Sequence, residues 1–92
     1  MRMVERIERK LGEGLAPTRI DVIDESHKHA GHAGARPEGE SHFRVEVVSE
    51  QFAGKNRLER QRMVYALLSE EMAGGIHALQ LKTLAPAEDA GI

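Results

Sequence analysis

The sequence predicts a mixed α/β (α+β) fold: a three-stranded mixed sheet with helices packed on one of its faces. Three observations lead there. The apolar period is helical over residues 1–12, alternates over 19–24 and again from 43, turns helical over 57–72, and alternates once more over 76–84. One long glycine-rich stretch separates the first two alternating segments. And 92 residues without a cysteine must close on a single hydrophobic core, with no disulfide to help.

Each element has its own signal. Val4, Ile7 and Leu11 fall at i, i+3 and i+7, one stripe of a helix over residues 1–12. Gly12 and Gly14 are expected to stop it, with Pro17 marking the exit. In Arg19–Asp24, Ile20 and Val22 point one way while Asp21 and Ile23 point the other, which reads as a strand. Residues 26–40 carry glycines, a proline and no apolar residue larger than alanine, so they read as a long loop of the kind that is mobile or functional. Phe43, Val45 and Val47 then share one face of a second strand, with Val48 out of phase.

A short connection centred on Gly54 leads to a helix from about Arg57 to Met72. Leu58, Val64, Leu67, Leu68 and Met72 are its expected buried stripe, and Gly74-Gly75 its end. Ile76–Leu84 alternates as a third strand, but its phase slips near Ala78–Leu81, which leaves the buried face open. Residues 86–92 read as a frayed tail. The order is therefore α-β-β-α-β in one domain over residues 1–92. The first two strands should pair antiparallel. The helical crossover favours a parallel pairing of the second and third.

Composition excludes several function classes. Thirteen Lys+Arg against fifteen Asp+Glu give a net charge of −2, so any nucleic-acid role needs a local basic patch. Zero cysteine removes a thiol nucleophile, a zinc ribbon and a self-held iron–sulfur cluster. Five histidines are left as the strong nitrogen donors. No h-region or 18-residue apolar run is present, so a cytoplasmic chain with no membrane span is expected. Neither a P-loop, nor GxSxG, nor HExxH occurs, and Ser26, Ser41 and Ser49 stand in no catalytic frame, so an enzyme is not expected.

Four blocks then carry a resemblance: DESHKH (24–29), GESHFRVEVVSEQFAGK (39–55), RQRMVYALLSEEM (60–72) and GIHALQLKT (75–83). In that order they resemble the BolA family. The resemblance implies an α-β-β-α-α-β fold akin to class II KH domains, with an added short helical turn near residues 51–55. This chain departs from the family at three places. Arg60-Gln61-Arg62 stands where the family usually has RHR, Asp89 where many members have tryptophan, and the loop is lengthened by AGHAGARP.

The histidines divide by position. His27, His29 and His32 form an HxHxxH pattern in the loop, a spacing that solvated polar residues also produce. His42 begins the second strand and reads as structural, anchoring the loop's end. His77, at the start of the third strand, is by itself an ordinary half-buried histidine. The resemblance changes its weight, because HAL is where the family carries its invariant cluster ligand. It also implies His29 as the loop ligand, with His32 and His27 as rivals.

A [2Fe–2S] centre needs four ligands, and histidine can replace cysteine on one iron. This chain has nitrogen donors and no thiolate, so a partner must supply the sulfur side. The resemblance implies a monothiol (CGFS-type) glutaredoxin with bound glutathione, in iron–sulfur trafficking or iron homeostasis. Imidazole ligates only when neutral, so such binding weakens in acid.

The alternative is a DNA-binding transcriptional regulator, a role the resemblance also implies, alongside stress response. Lys55, Arg57, Arg60 and Arg62 lie close together, offset only by Glu59. Against it, Gly54-Lys55-Asn56-Arg57 lacks the second glycine of a KH clamp. Only Phe43, Phe52 and Tyr65 could stack on bases, and a charge run on a helix is commonly a solvated face. Self-association into a homodimer stays open.

Overall fold

The computed structural model describes residues 2–25 and 42–89. Its elements are α1 (Met3–Leu15), β1 (Arg19–Asp24), β2 (His42–Val48), a 3-10 turn (Glu50–Phe52), α2 (Arg57–Leu67), α3 (Ser69–Gly74), β3 (Ala78–Leu84) and α4 (Pro86–Asp89). The sheet order is β1-β2-β3, with β1 antiparallel and β3 parallel to the central β2. This is the predicted pairing.

Register decides which side chains share a face. Val22, Val45 and Leu81 lie abreast, as do Asp24, Phe43 and Leu79. The core gathers on that side: Phe43, Val45 and Val47 from β2, Ile7, Leu11 and Leu15 from α1, Phe52, and Val64, Leu68 and Ile76 from the crossover. On the other side Asp21, Glu46 and Lys82 lie abreast, with Arg44 beside Ile23, a solvated and charged face. The slipping phase of β3 is thereby settled: Leu79 and Leu81 turn inward, Ala78 and Gln80 outward.

Several boundaries differ from expectation. α1 does not stop at Gly12 but runs through both glycines to Leu15, which is buried, and closes on Ala16 in the left-handed conformation (φ 45°). Gly14 is there for packing. A Cβ at that position would lie 2.7 Å from both Cδ atoms of Leu67, so the missing side chain lets α1 approach α2. Ser49 ties the same corner together. Its buried Oγ donates to the Leu15 carbonyl at 2.7 Å, and its N–H donates to the Leu84 carbonyl at 2.9 Å.

The 3-10 turn falls close to where the resemblance put a helical turn, and it seats Phe52 in the core. Gly54, at φ +77°, then turns the chain into α2. Asn56 caps that helix. Its side chain accepts the Glu59 N–H at 2.9 Å, while the Glu59 carboxylate accepts the Asn56 N–H at 2.9 Å. The helix expected over 57–72 is two helices, with Leu68 leaving helical geometry at φ −103°, ψ 17°. No glycine or proline marks this break. Leu58 is not part of the buried stripe but 54% exposed.

β3 begins at Ala78, two residues later than the alternation suggested. The Gly75 and Ile76 N–H groups still bond the Glu71 carbonyl, both at 3.0 Å, so the chain leaves α3 only after Ile76. His77 therefore precedes the strand. Of the tail expected to fray over residues 86–92, residues 86–89 instead form α4, held by partners remote in sequence, and 90–92 lie outside the described residues. Arg60 Nη1 donates to Glu88 Oε1 at 2.7 Å, and Arg19 Nη2 to Asp89 Oδ1 at 2.5 Å.

Candidate functional site

Parallel pairing of β2 with β3 sets His42 opposite Ala78. His77, the residue before Ala78, is thereby carried to His42, and the two imidazole centroids lie 5.4 Å apart with their planes inclined by 50°. His42 is partly buried and His77 exposed. The backbone of His42 is anchored as well: its carbonyl accepts the Glu25 N–H at 2.8 Å. The anchoring role read from the sequence is thus present in the backbone, while the ring faces a second histidine.

Segment 26–41 leaves the sheet at Glu25 and returns at His42, the same end that carries the pair. His27, His29 and His32, the loop candidates, lie outside the described residues. Among the described residues no group of three or more histidines, aspartates and glutamates could hold a metal ion. What the described residues bring together at this end is a pair of imidazoles. Such a set suits the nitrogen side of a mixed-ligand cluster and not its thiolate side.

The basic candidates occupy a second surface. Lys55, Arg57 and Arg60 line an open groove of about 460 Å³ between the start of α2 and the outer side of β3, with Lys82 and Glu88. Arg62 is not on it. Arg60 is largely committed to structure, its side chain 11% exposed. Its Nη1 donates to the Thr83 carbonyl at 3.1 Å as well as to Glu88, and its guanidinium lies 5.9 Å from the Phe52 ring centre. The backbone N–H of Ala85, together with Arg60, holds the Glu88 carboxyl below its ordinary range. Lys55, Arg57 and Lys82 are the exposed cations of the groove. Phe43 and Phe52 are buried, which leaves Tyr65, 39% exposed, as the aromatic on the described surface. Ala78 to Lys82 spans about 13 Å of strand, so the two surfaces are separate.

Sequence reasoning missed two features. One is the ring of His42 at His77, which only the β2–β3 register reveals. The other is Glu71, fully buried between α1 and α3. Nothing in its local sequence distinguishes it from Glu70.

A three-stranded mixed sheet with this order, covered by helices on one face, defines a small α+β domain. A model of BolA-like proteins matches residues 11–88. The chain is 47% identical over 89 residues to an uncharacterised Sinorhizobium protein encoded 5′ of cobS, covering 96% of each. It is 42% identical over 92 residues to the Escherichia coli DNA-binding transcriptional regulator BolA, covering 100% of this chain and 84% of that protein. The solved BolA domain of SufE1 from Arabidopsis thaliana superposes with a TM-score of 0.83 at 41% identity, covering 92% of this chain and 93% of that one. The chain spans 24% of the full Arabidopsis SufE-like protein 1, which is much longer. This chain belongs to the BolA family.

Proposed function

We propose that this protein is a partner of monothiol glutaredoxins that shares a [2Fe–2S] cluster as cargo, in cluster trafficking or iron homeostasis. The observation that carries the reading is the exposed His77 at the end of the sheet where segment 26–41 is rooted, in a chain with no thiolate of its own. On this reading His77 and one loop imidazole, His29 or its rival His32, hold the nitrogen side. The glutaredoxin cysteine and glutathione supply sulfur. Replacing thiolate by neutral imidazole makes the centre less negative and raises its potential.

Mixing the protein with a cluster-loaded monothiol glutaredoxin and following visible circular dichroism tests this. A new spectrum is expected with the wild type and its loss with His77→Ala. No change with the wild type, or an unaltered response in the variant, overturns it.

A second reading, DNA binding through Lys55 and Arg57, draws on the groove and on the name of the Escherichia coli relative. Arg60 contributes little to it, because its charge is matched by Glu88, and Arg62 stands apart. Binding that falls steeply with salt, and less steeply in Lys55→Ala and Arg57→Ala, supports phosphate contacts; a flat salt response rejects them.

A further inference from the structure

We propose that His42 and His77 form a two-imidazole site for a divalent transition cation of the zinc, cobalt or nickel class, on this chain alone and without any glutaredoxin.

Geometry is the first support. A tetrahedral zinc or cobalt ion holds imidazole nitrogens at about 2 Å, and the ring centre lies roughly 1 Å behind the ligating atom. Two imidazoles on such an ion therefore place their centroids about 5 Å apart. The observed centroid separation of 5.4 Å lies close to that value.

Preorganisation is the second. His42 stands on the central strand, paired with Ala78 on one side and bonded through its carbonyl to Glu25 on the other. His77 follows Ile76, which is buried and tied by its N–H to Glu71. The His42 backbone lies in β2 and that of His77 is fixed between the buried Ile76 and the first residue of β3, so little backbone ordering entropy opposes chelation.

Chemistry selects the ion. Neutral imidazole favours borderline transition metals, whereas calcium and magnesium require oxygen donors. Two protein ligands leave positions open to water or to a donor from another molecule, the pattern of an exchange site more than of a closed structural one. The competing reading is that the rings merely pack, since 5.4 Å also falls within the range of aromatic pairs.

Titration of tag-free protein with Co²⁺ and Zn²⁺ separates these, by visible absorption, calorimetry and imidazole ¹⁵N chemical shifts. One equivalent is expected to bind, moving the His42 and His77 imidazole signals together. His77→Ala and His42→Ala should each weaken binding by about tenfold or more, since loss of even an outer-shell partner costs that much. Replacing His27, His29 and His32 together by alanine should leave affinity within about threefold, the spread of context effects on an intact site. His77 is exposed, so its variant tests the site even where His42→Ala perturbs β2, and the wild-type shifts need no variant at all. Absence of binding at millimolar metal overturns the proposal. So does loss of binding on removing the loop histidines with no effect of His77→Ala. Because no partner is present, metal binding here together with failure to share a cluster would remove only the glutaredoxin reading.

Discussion

Arg6 and Glu71, 65 positions apart in the chain, meet at 2.8 Å between α1 and α3. Glu71 is fully buried while Arg6 is 40% exposed, and Lys10 Nζ approaches the same carboxylate oxygen at 3.1 Å. The contact joins the start of the chain to the end of the crossover, just before the segment that carries His77. Loss of Arg6 leaves a buried carboxylate short of donors, a cost of about 1–3 kcal/mol. Loss of Glu71 leaves two cations that can rehydrate. Arg6→Ala should therefore lower the urea midpoint more than Glu71→Met, in which an apolar side chain fills the space. The reverse order would refute this asymmetry.

The same carboxyl makes stability depend on acid. Burial pushes Glu71 up, but hydrogen bonds from Lys10, from its own backbone and from Arg6 outweigh it and hold the group below its ordinary value of 4.5. A folded value below the unfolded one means the contribution is complete above the ordinary carboxylate range. It is lost as pH falls through the lowered folded value. The stability difference between wild type and Glu71→Gln is expected to be constant near neutrality and to shrink below about pH 4. Urea midpoints across pH 3 to 7 measure it, and a constant difference across that range contradicts it.

Two glycines in one helix should behave oppositely. A Cβ at Gly12 meets nothing within 4 Å, whereas one at Gly14 lies 2.7 Å from Leu67. Gly12→Ala should gain up to about 1 kcal/mol of helix propensity, raising Tm by roughly 4–8 °C. Gly14→Ala should gain nothing, because the same propensity is spent displacing Leu67. Paired thermal melts decide it; equal gains at both sites would mean that the helices are not in close contact.

Arg60 holds the end of the chain through Thr83 and Glu88. Amide exchange at Ala85, whose N–H donates to Glu88 Oε1 at 2.6 Å, should accelerate in Arg60→Ala and stay unchanged in Arg62→Ala. Arg60→Lys should rescue only part of the protection, since an ammonium cannot reproduce the planar fork. Equal exchange in all three variants would mean that α4 is held by other contacts.

Much of this was legible from periodicity. Phe43, Val45 and Val47 alternate because a strand has two faces, and Ile7 and Leu11 recur because a helix has one buried stripe; both patterns survive in the core. The misreadings have a common cause. Gly12 and Gly14 look like a stop until Leu67 is seen against α1. Leu58 fits the spacing of the buried stripe, yet among the described residues no neighbouring element covers it. Residues 86–89 look frayed until Arg19 and Arg60 arrive from elsewhere in the chain.

By itself, the sequence determined the three strands and their sense of pairing, the helical character of the segments before and between them, the family and the absence of any thiolate, because these follow from residue types, local periodicity and connectivity. Only the tertiary structure decided which face of β3 is buried, where α1 ends, and which remote side chains meet. His42 and His77 come together through the parallel register of β2 and β3, and Arg6 and Glu71 through the packing of α1 on α3. Those distances are set by how separate elements dock, and no local spacing encodes them.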